Sequence, residues 1–280
     1  MVEIATFDVD KQFVYHINSK NRIRGTPEQF DIELQLSNTS LDEYDHISVL
    51  SCSIPKSYYA IESDYNTFKL IEGNNPLTEQ VIITIPEGNY NANQFTDELT
   101  SLLNTNSPTN LTYTMTLSII TGKYTWTAKT SGGGSPSFQP IFETSMNVYE
   151  KLGFDSNSQN QFVGDTLTSS NVIDLSQEND LFIRSSIISG AVNSNEDILF
   201  DVNASQLPPF SRIQIYNNNV YGFSKLLNNS SNIFSFRITD ENGRTKKLNG
   251  VDWDITLLIY KASPIPSKTI DLMRLIGEMI

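Results

Sequence analysis

The chain has 280 residues, of which 38% are hydrophobic and only 18% charged, and it carries a net charge of −13. That is enough apolar material for one large β domain, or one domain with a smaller insertion. A surface this acidic repels phosphates and anionic headgroups, and sequence-independent nucleic-acid binding needs clustered Lys and Arg, so a nucleic-acid partner is excluded. The dense basic clusters, Lys20–Arg24 and Arg244–Lys247, read as solvated turns, with contact to an acidic neighbouring subunit as the alternative. Asn, Ser, Thr and Gln replace the missing charge, and 12 Tyr and 15 Phe accompany them. These are the materials of strands and turns.

Cys52 is the single cysteine, so no internal disulfide can form. It lies in the apolar run Ile47–Ile54, where a buried strand thiol is expected rather than a nucleophile. Met1–Ala5 carries acid where a secretory signal carries base. No apolar stretch approaches the roughly 18 residues of a membrane span. Folding in a reducing compartment is expected, which would make the sequon at Asn110 accidental.

Along the chain, 1–12 reads as a charged arm without a clear period. Phe13–Ile17 is a short strand. Phe30–Leu36 alternates strictly between apolar and polar, which predicts a half-buried strand. His46–Ile54 is a strand ended by Pro55, and Thr67–Ile71 is another. The apolar run Gln80–Ile85 suits a strand buried on both faces. Asn91 and Gln94 form a capping box, with Tyr90 and Phe95 at the hydrophobic-staple positions. Phe95, Leu99, Leu102 and Leu103 then give the helix one apolar face. Leu111–Leu117 and Tyr124–Ala128 make a hairpin turned at Thr121–Lys123. Gly132–Pro136 is a break, and Asn147–Lys151 a short helix ending at Leu152–Phe154.

Strands resume at Asn171–Leu175, Leu181–Arg184, Ile198–Val202, Arg212–Tyr216 and Ile233–Ile238. Asp240–Gly243 turns, and Trp253–Tyr260 is the longest strand of the second half. The fold class is therefore mainly β: a single jelly-roll sandwich with a small inserted α+β subdomain. The expected domains are an arm (1–12), a discontinuous jelly roll (13–87 and 156–262), the insertion (88–155) and a tail (263–280). Ser267 can cap a helix to Ile280 whose apolar face, Leu272, Leu275, Ile276 and Met279, would pack onto its own domain or dock into a neighbour.

No catalytic set is evident, and no catalytic, cofactor-binding or metal residue is assigned. The two histidines, His16 and His46, both sit in strand patterns. The triple glycine Gly132–Gly134 lacks a P-loop ending. Asp155–Gln159 begins like a calcium loop, but Asn160 and Thr166 stand where Gly and Glu belong. Asp252 and Asp254 flank Trp253 and could share one strand face for acid–base work, although a strand leaving a turn often starts with acids. Tyr124 or Trp126, if exposed, could stack on a sugar; in a hairpin an aromatic more often belongs to the core.

The order of motifs resembles the penton, or minor capsid, protein of virophages and the related Polinton (Maverick) and adintovirus elements. Val49–Tyr59 is similar to that family's strand ending I-P-x-S-[WY]-Y, and Ile83–Tyr90 to I-x-I-P-x-G-N-Y. The hairpin turn Thr121–Lys123 and the Lys151–Phe154 element follow. Asp240–Gly243 with Leu248–Trp253 is similar to D-x-x-G followed by L-N-G-x-D-W. The resemblance implies a single jelly roll, five copies of which plug an icosahedral vertex beside double-jelly-roll major capsid proteins. It implies no enzymatic activity and no cofactor, a virion location after assembly inside the host cell, and a homopentamer whose insertion could touch a host-surface receptor. A helix, hairpin and Leu-Gly-Phe unit also occurs in some phage structural proteins. The alternative is thus a tail, fibre or attachment protein binding glycans through the hairpin. An enzyme working through Asp252 or Asp254 ranks third.

Overall fold

The computed structural model describes residues 7–34, 44–73, 79–136, 141–144, 148–155, 159–188, 197–205, 207–217, 224–226 and 232–264. The strands begin with β1 (Phe7–Asn18), β2 (Arg24–Thr26), β3 (Gln29–Glu33), β4 (His46–Pro55), β5 (Thr67–Ile71) and β6 (Gln80–Thr84). Helix α1 (Ala92–Asn106) comes next, then β7 (Thr112–Leu117), β8 (Tyr124–Lys129), β9 (Ile141–Thr144) and helix α2 (Val148–Leu152). After these come β10 (Gln159–Gln161), β11 (Thr166–Thr168), β12 (Asp180–Ser185) and β13 (Ile198–Asn203). The last strands are β14 (Arg212–Tyr216), β15 (Ser224–Lys225), β16 (Ile233–Thr239) and β17 (Asp254–Pro264). The chain forms two compact units, Met1–Tyr58 with Glu178–Ile280, and Tyr59–Gln177.

The first unit holds two antiparallel sheets. One has the order β1-β17-β4-β14, with β15 also on β4; the other runs β13-β12-β16-β3-β2. Without the short β2 and β15, the eight remaining strands, counted along the chain, stand in the orders 1-8-3-6 and 5-4-7-2. The chain changes sheet at every connection except the one between β12 and β13. That interleaving is a jelly roll. Alternation supplies its core: Ile255, Leu257 and Ile259 of β17 and Phe234, Phe236 and Ile238 of β16 belong to one buried cluster. On β4 the inward set runs Ile47, Val49, Cys52, Ile54. The phase slips once because the register with β17 skips a residue at Leu50, a bulge that keeps both halves of the strand facing inward. Phe30 stacks on Phe236 at 5.8 Å and meets Trp253 edge-on at 5.7 Å.

The second unit has its own core. Its sheets run β10-β9-β5-β6 and β11-β8-β7. Phe95, Leu99 and Leu103 of α1 join Phe68, Tyr113, Trp126 and Phe154 in one buried cluster. The start of α1 follows from sequence. Asn91 accepts from the Gln94 N–H at 2.9 Å, Gln94 answers the Asn91 N–H at 3.1 Å, and the Tyr90 and Phe95 rings sit 5.5 Å apart.

Several expectations change. The arm is a strand from Phe7, paired through to Pro264 of β17. A register irregularity between Val9 and Lys11 breaks its alternation, which is why no period shows in the sequence. β6 is an edge strand buried on one face only, with Ile82 68% exposed. Asn171–Leu175 is not a strand: the N–H groups of Asn171 and Asp174 bond to Gly153 and Glu150 at the α2 helix, and that of Ile173 to Gly122 in the hairpin turn, so no ladder forms. The sequence-based boundaries at 88 and 155 fall inside the second unit, because β5 pairs with both β6 and β9. The tail expected from Ser267 to Ile280 lies outside the described residues.

Candidate assembly surface

Four connections of the jelly roll lie at the same end: 19–23, the exit of β4 at 56–58, 204–211, and 240–253. Side chains tie them together. Ser57 Oγ donates to the Leu248 carbonyl at 2.6 Å, and Asn249 donates back to the Ser57 carbonyl at 2.7 Å. Asn249 and Gly250 have φ of 52° and 79°. Asn tolerates that left-handed region and Gly occupies it without strain. Ser19 Oγ and Arg22 both donate to Asp252 Oδ1, at 2.8 and 3.0 Å. The Trp253 indole N–H reaches the Pro27 carbonyl at 2.7 Å. Asp240, 1% exposed, accepts from the N–H groups of Asn242 and Arg244, both at 2.9 Å. Lys56 Nζ donates to the carbonyls of Ala204 and Leu207 at 2.9 and 2.8 Å. Burial pulls its ammonium below the usual lysine value.

This end also exposes apolar side chains. Phe210, at φ 64°, is 73% exposed, and Ile23 and Val251 are exposed too. In the second unit the turn of the β7–β8 hairpin carries Ile119 and Ile120, 97% and 96% exposed. The turn is held by Gly122 N–H to the Ser118 carbonyl at 2.8 Å and Ser118 N–H to the Lys123 carbonyl at 3.0 Å. Adjacent exposed apolar residues on a rigid turn are the kind of feature that marks contact surfaces. Sequence reading passed over both Phe210 and the isoleucine pair. The available signals were Pro208-Pro209 before an aromatic, and two β-branched residues where a hairpin turn is normally polar.

The residues weighed for chemistry are each committed to structural contacts. Cys52 is buried; burial and then the Asp254 carboxylate push its thiol up to about 12. His16 Nδ1 lies 3.0 Å from Thr256 Oγ1, and His46 stacks on Tyr260 at 5.5 Å. Asp252 is held by Ser19 and Arg22, whereas Asp254 stands 3.9 Å from Arg212, so the two carboxylates serve different partners. Trp126 and Tyr124 are fully buried, which removes them as a sugar-stacking platform. Among the described residues no three of His, Cys, Asp and Glu gather as a metal site, and no helix is long and apolar enough to cross a membrane. Of the basic clusters, Arg22, Arg24 and Arg244 are ion-paired, and Lys246 lies buried 5.8 Å over the Tyr58 ring.

A feature the sequence did not reveal is Glu72, fully buried in the second unit. Its Oε2 accepts from Ser107 Oγ at 2.8 Å and from the Thr109 N–H at 2.9 Å, and its Oε1 from Tyr113 Oη at 2.8 Å. Burial, then the Glu72 charge and hydrogen bond, raise the Tyr113 phenol far above its ordinary value, so it remains a donor. This carboxylate fastens the α1–β7 turn to the end of β5.

No protein-family model matches the chain, and no curated protein does. Among solved structures, the chain is similar to the crystal structure of the mavirus penton protein, with a TM-score of 0.45 and 11% identity, covering 91% of this chain and 100% of that one.

Proposed function

We propose that this chain is a structural capsid protein, five copies of which close a ring that plugs an icosahedral vertex beside double-jelly-roll major capsid subunits. One observation carries the reading. The motif residues that give the chain its resemblance to penton proteins, Ser57 in one stretch and Asp240, Asn249, Asp252 and Trp253 in another far along the chain, fasten the same end of a jelly roll, with Ser19 and Pro27 as further distant partners. They do structural work, and the mechanism is shape and contact. Copies meet through unlike side faces, a head-to-tail contact that closes a ring of five when each copy is rotated by a fifth of a turn. The protein acts without catalysis or cofactor, and its place is the virion. The second unit supplies the surface that meets the host, with the Ile119–Ile120 turn as its contact point. The tail from Ser267 to Ile280 grips a neighbour; unchanged vertex incorporation after its deletion would remove that part.

The test is the light-scattering mass of the purified chain with negative-stain class averages. A fivefold ring near five times the 31.5 kDa chain mass is expected. A trimer would overturn the reading in favour of a fibre or attachment protein. A monomer moves the same measurement to co-expression with the major capsid protein.

A further inference from the structure

We infer that Phe210 is the knob through which one copy of this chain grips the next, seated against the neighbour's edge that carries Lys20, Ile23 and Arg24. The inference rests on the ring reading above and names the surface that closes the ring.

Phe210 stands in the connection between β13 and β14 and is 73% exposed. Its φ of 64° is one that a bulky residue avoids, because Cβ crowds the backbone carbonyl. Such strain persists only where the surroundings over-determine it. Here they do. Pro208 and Pro209 precede it. The Phe210 N–H donates to the Lys56 carbonyl at 2.9 Å, and the Lys56 N–H to the Ser211 carbonyl at 2.9 Å. Ser211 Oγ donates to the Pro208 carbonyl at 2.5 Å. Beneath the loop, the buried Lys56 ammonium holds the Ala204 and Leu207 carbonyls. Glycine would make the same turn without strain. What the phenylalanine adds is an exposed aromatic side chain on a backbone already fixed before a partner arrives, as an interface anchor needs.

The partner is a second copy because the opposite side of the sandwich complements this one. β14 and β13 end their two sheets on the Phe210 side; β1 and β2 end the same two sheets on the other. On the Phe210 side Asp180 and Asp201 are exposed. Arg212 there is drawn back to the Asp252 carbonyl at 2.7 Å and lies 3.9 Å from Asp254. On the far side Lys20 and Arg24 are exposed around Ile23, itself 56% exposed; Arg24 pairs with Asp31, yet its side chain remains 78% exposed. An acidic, apolar edge therefore meets a basic, apolar one. Because the two edges lie on opposite sides of one sandwich, their contact is head-to-tail and propagates beyond a pair, to a ring where the rotation between copies closes.

The test uses the full chain under whichever condition the wild type forms rings. Phe210→Gly should keep or raise the thermal midpoint while the concentration for half-assembly rises about tenfold or more. Phe210→Asn, which tolerates the same backbone, should behave alike. The double variant Lys20→Glu/Arg24→Glu should also fail alone, yet mixed with Phe210→Gly it should give a dimer, since one good knob remains to meet one good socket. Rings from Phe210→Gly at the wild-type concentration, or a mixture that stays monomeric, would overturn the inference and leave the capsid reading standing. A wild type that forms no ring, alone or with the major capsid protein, would take down both.

Discussion

Replacing Glu72 should loosen the second unit and leave the jelly roll untouched. The carboxylate is fully buried and receives donors from Ser107, Thr109 and Tyr113. A hydrogen bond to a charged group contributes about 1.5–3 kcal/mol, and a buried donor left without an acceptor costs about 1–3 kcal/mol. Ser107 and Thr109 are only half-buried, so water can replace part of what Glu72→Ala removes, whereas the buried Tyr113 hydroxyl loses its acceptor. The expected loss is about 3–4 kcal/mol. Glu72→Gln keeps an acceptor for the Ser107 and Thr109 side and can donate to Tyr113 Oη, so about 1–2 kcal/mol is expected. The chain has two tryptophans, Trp126 in the second unit and Trp253 in the first. In a Trp253→Phe background urea unfolding reports the second unit, and in Trp126→Phe the first. With a slope of about 2 kcal/mol per molar urea, Glu72→Ala should move the Trp126 midpoint down by roughly 1.5–2 M. The Trp253 transition should not move. An unmoved Trp126 transition, or equal shifts in both, would refute the reasoning.

Three other outcomes follow from the same structure. Cys52, its thiol pushed up to about 12 by burial and Asp254, should react with a thiol-specific disulfide reagent at pH 8 no faster than the chain unfolds globally. Trp126→Ala should destabilise the second unit by about 3–5 kcal/mol without changing any glycan-array signal, because the ring is buried. At Asp197, burial alone would raise the carboxyl, but hydrogen bonds from Arg237 and Arg184 overcome that and hold it below its ordinary value. A depressed carboxyl contributes stability above its unfolded pKa that is lost as pH falls through the folded one. Asp197→Asn should therefore be less stable than wild type at pH 7, with the gap shrinking below about pH 4 in acid-unfolding curves.

Much of the fold was legible because local patterns determine local structure. The strict alternation that starts at Phe30 became β3, with Phe30 and Ile32 on an inner face, and the Asn91–Gln94 box fixed the start of α1 to the residue. Pairing is not local, and there the reading ran out. The sequence of Gln80–Ile85 cannot say that its strand lies at a sheet edge, nor that β5 and β6 belong with β9 rather than with the jelly roll. Asn171–Leu175 alternates like a strand, and Ile173 and Leu175 do pack on a core, but its backbone bonds are divided between the α2 helix and the β7–β8 turn. The motifs Ile54–Ser57 and Leu248–Trp253 could be quoted from sequence. That Ser57 and Asn249 bond each other could not. The assembly surface was hardest of all, since an exposed Phe210 and a buried Trp126 differ in tertiary surroundings, not in residue type.

The place of this chain at a capsid vertex is decided by locating it in assembled particles. The chain is co-expressed with its major capsid protein, the shells are purified, and their vertices are reconstructed by electron cryomicroscopy. Five copies of the jelly roll are expected around each fivefold axis, with Phe210 buried between adjacent copies. Closed shells whose vertices are filled without this chain, or that carry it only as trimeric spikes, would contradict it.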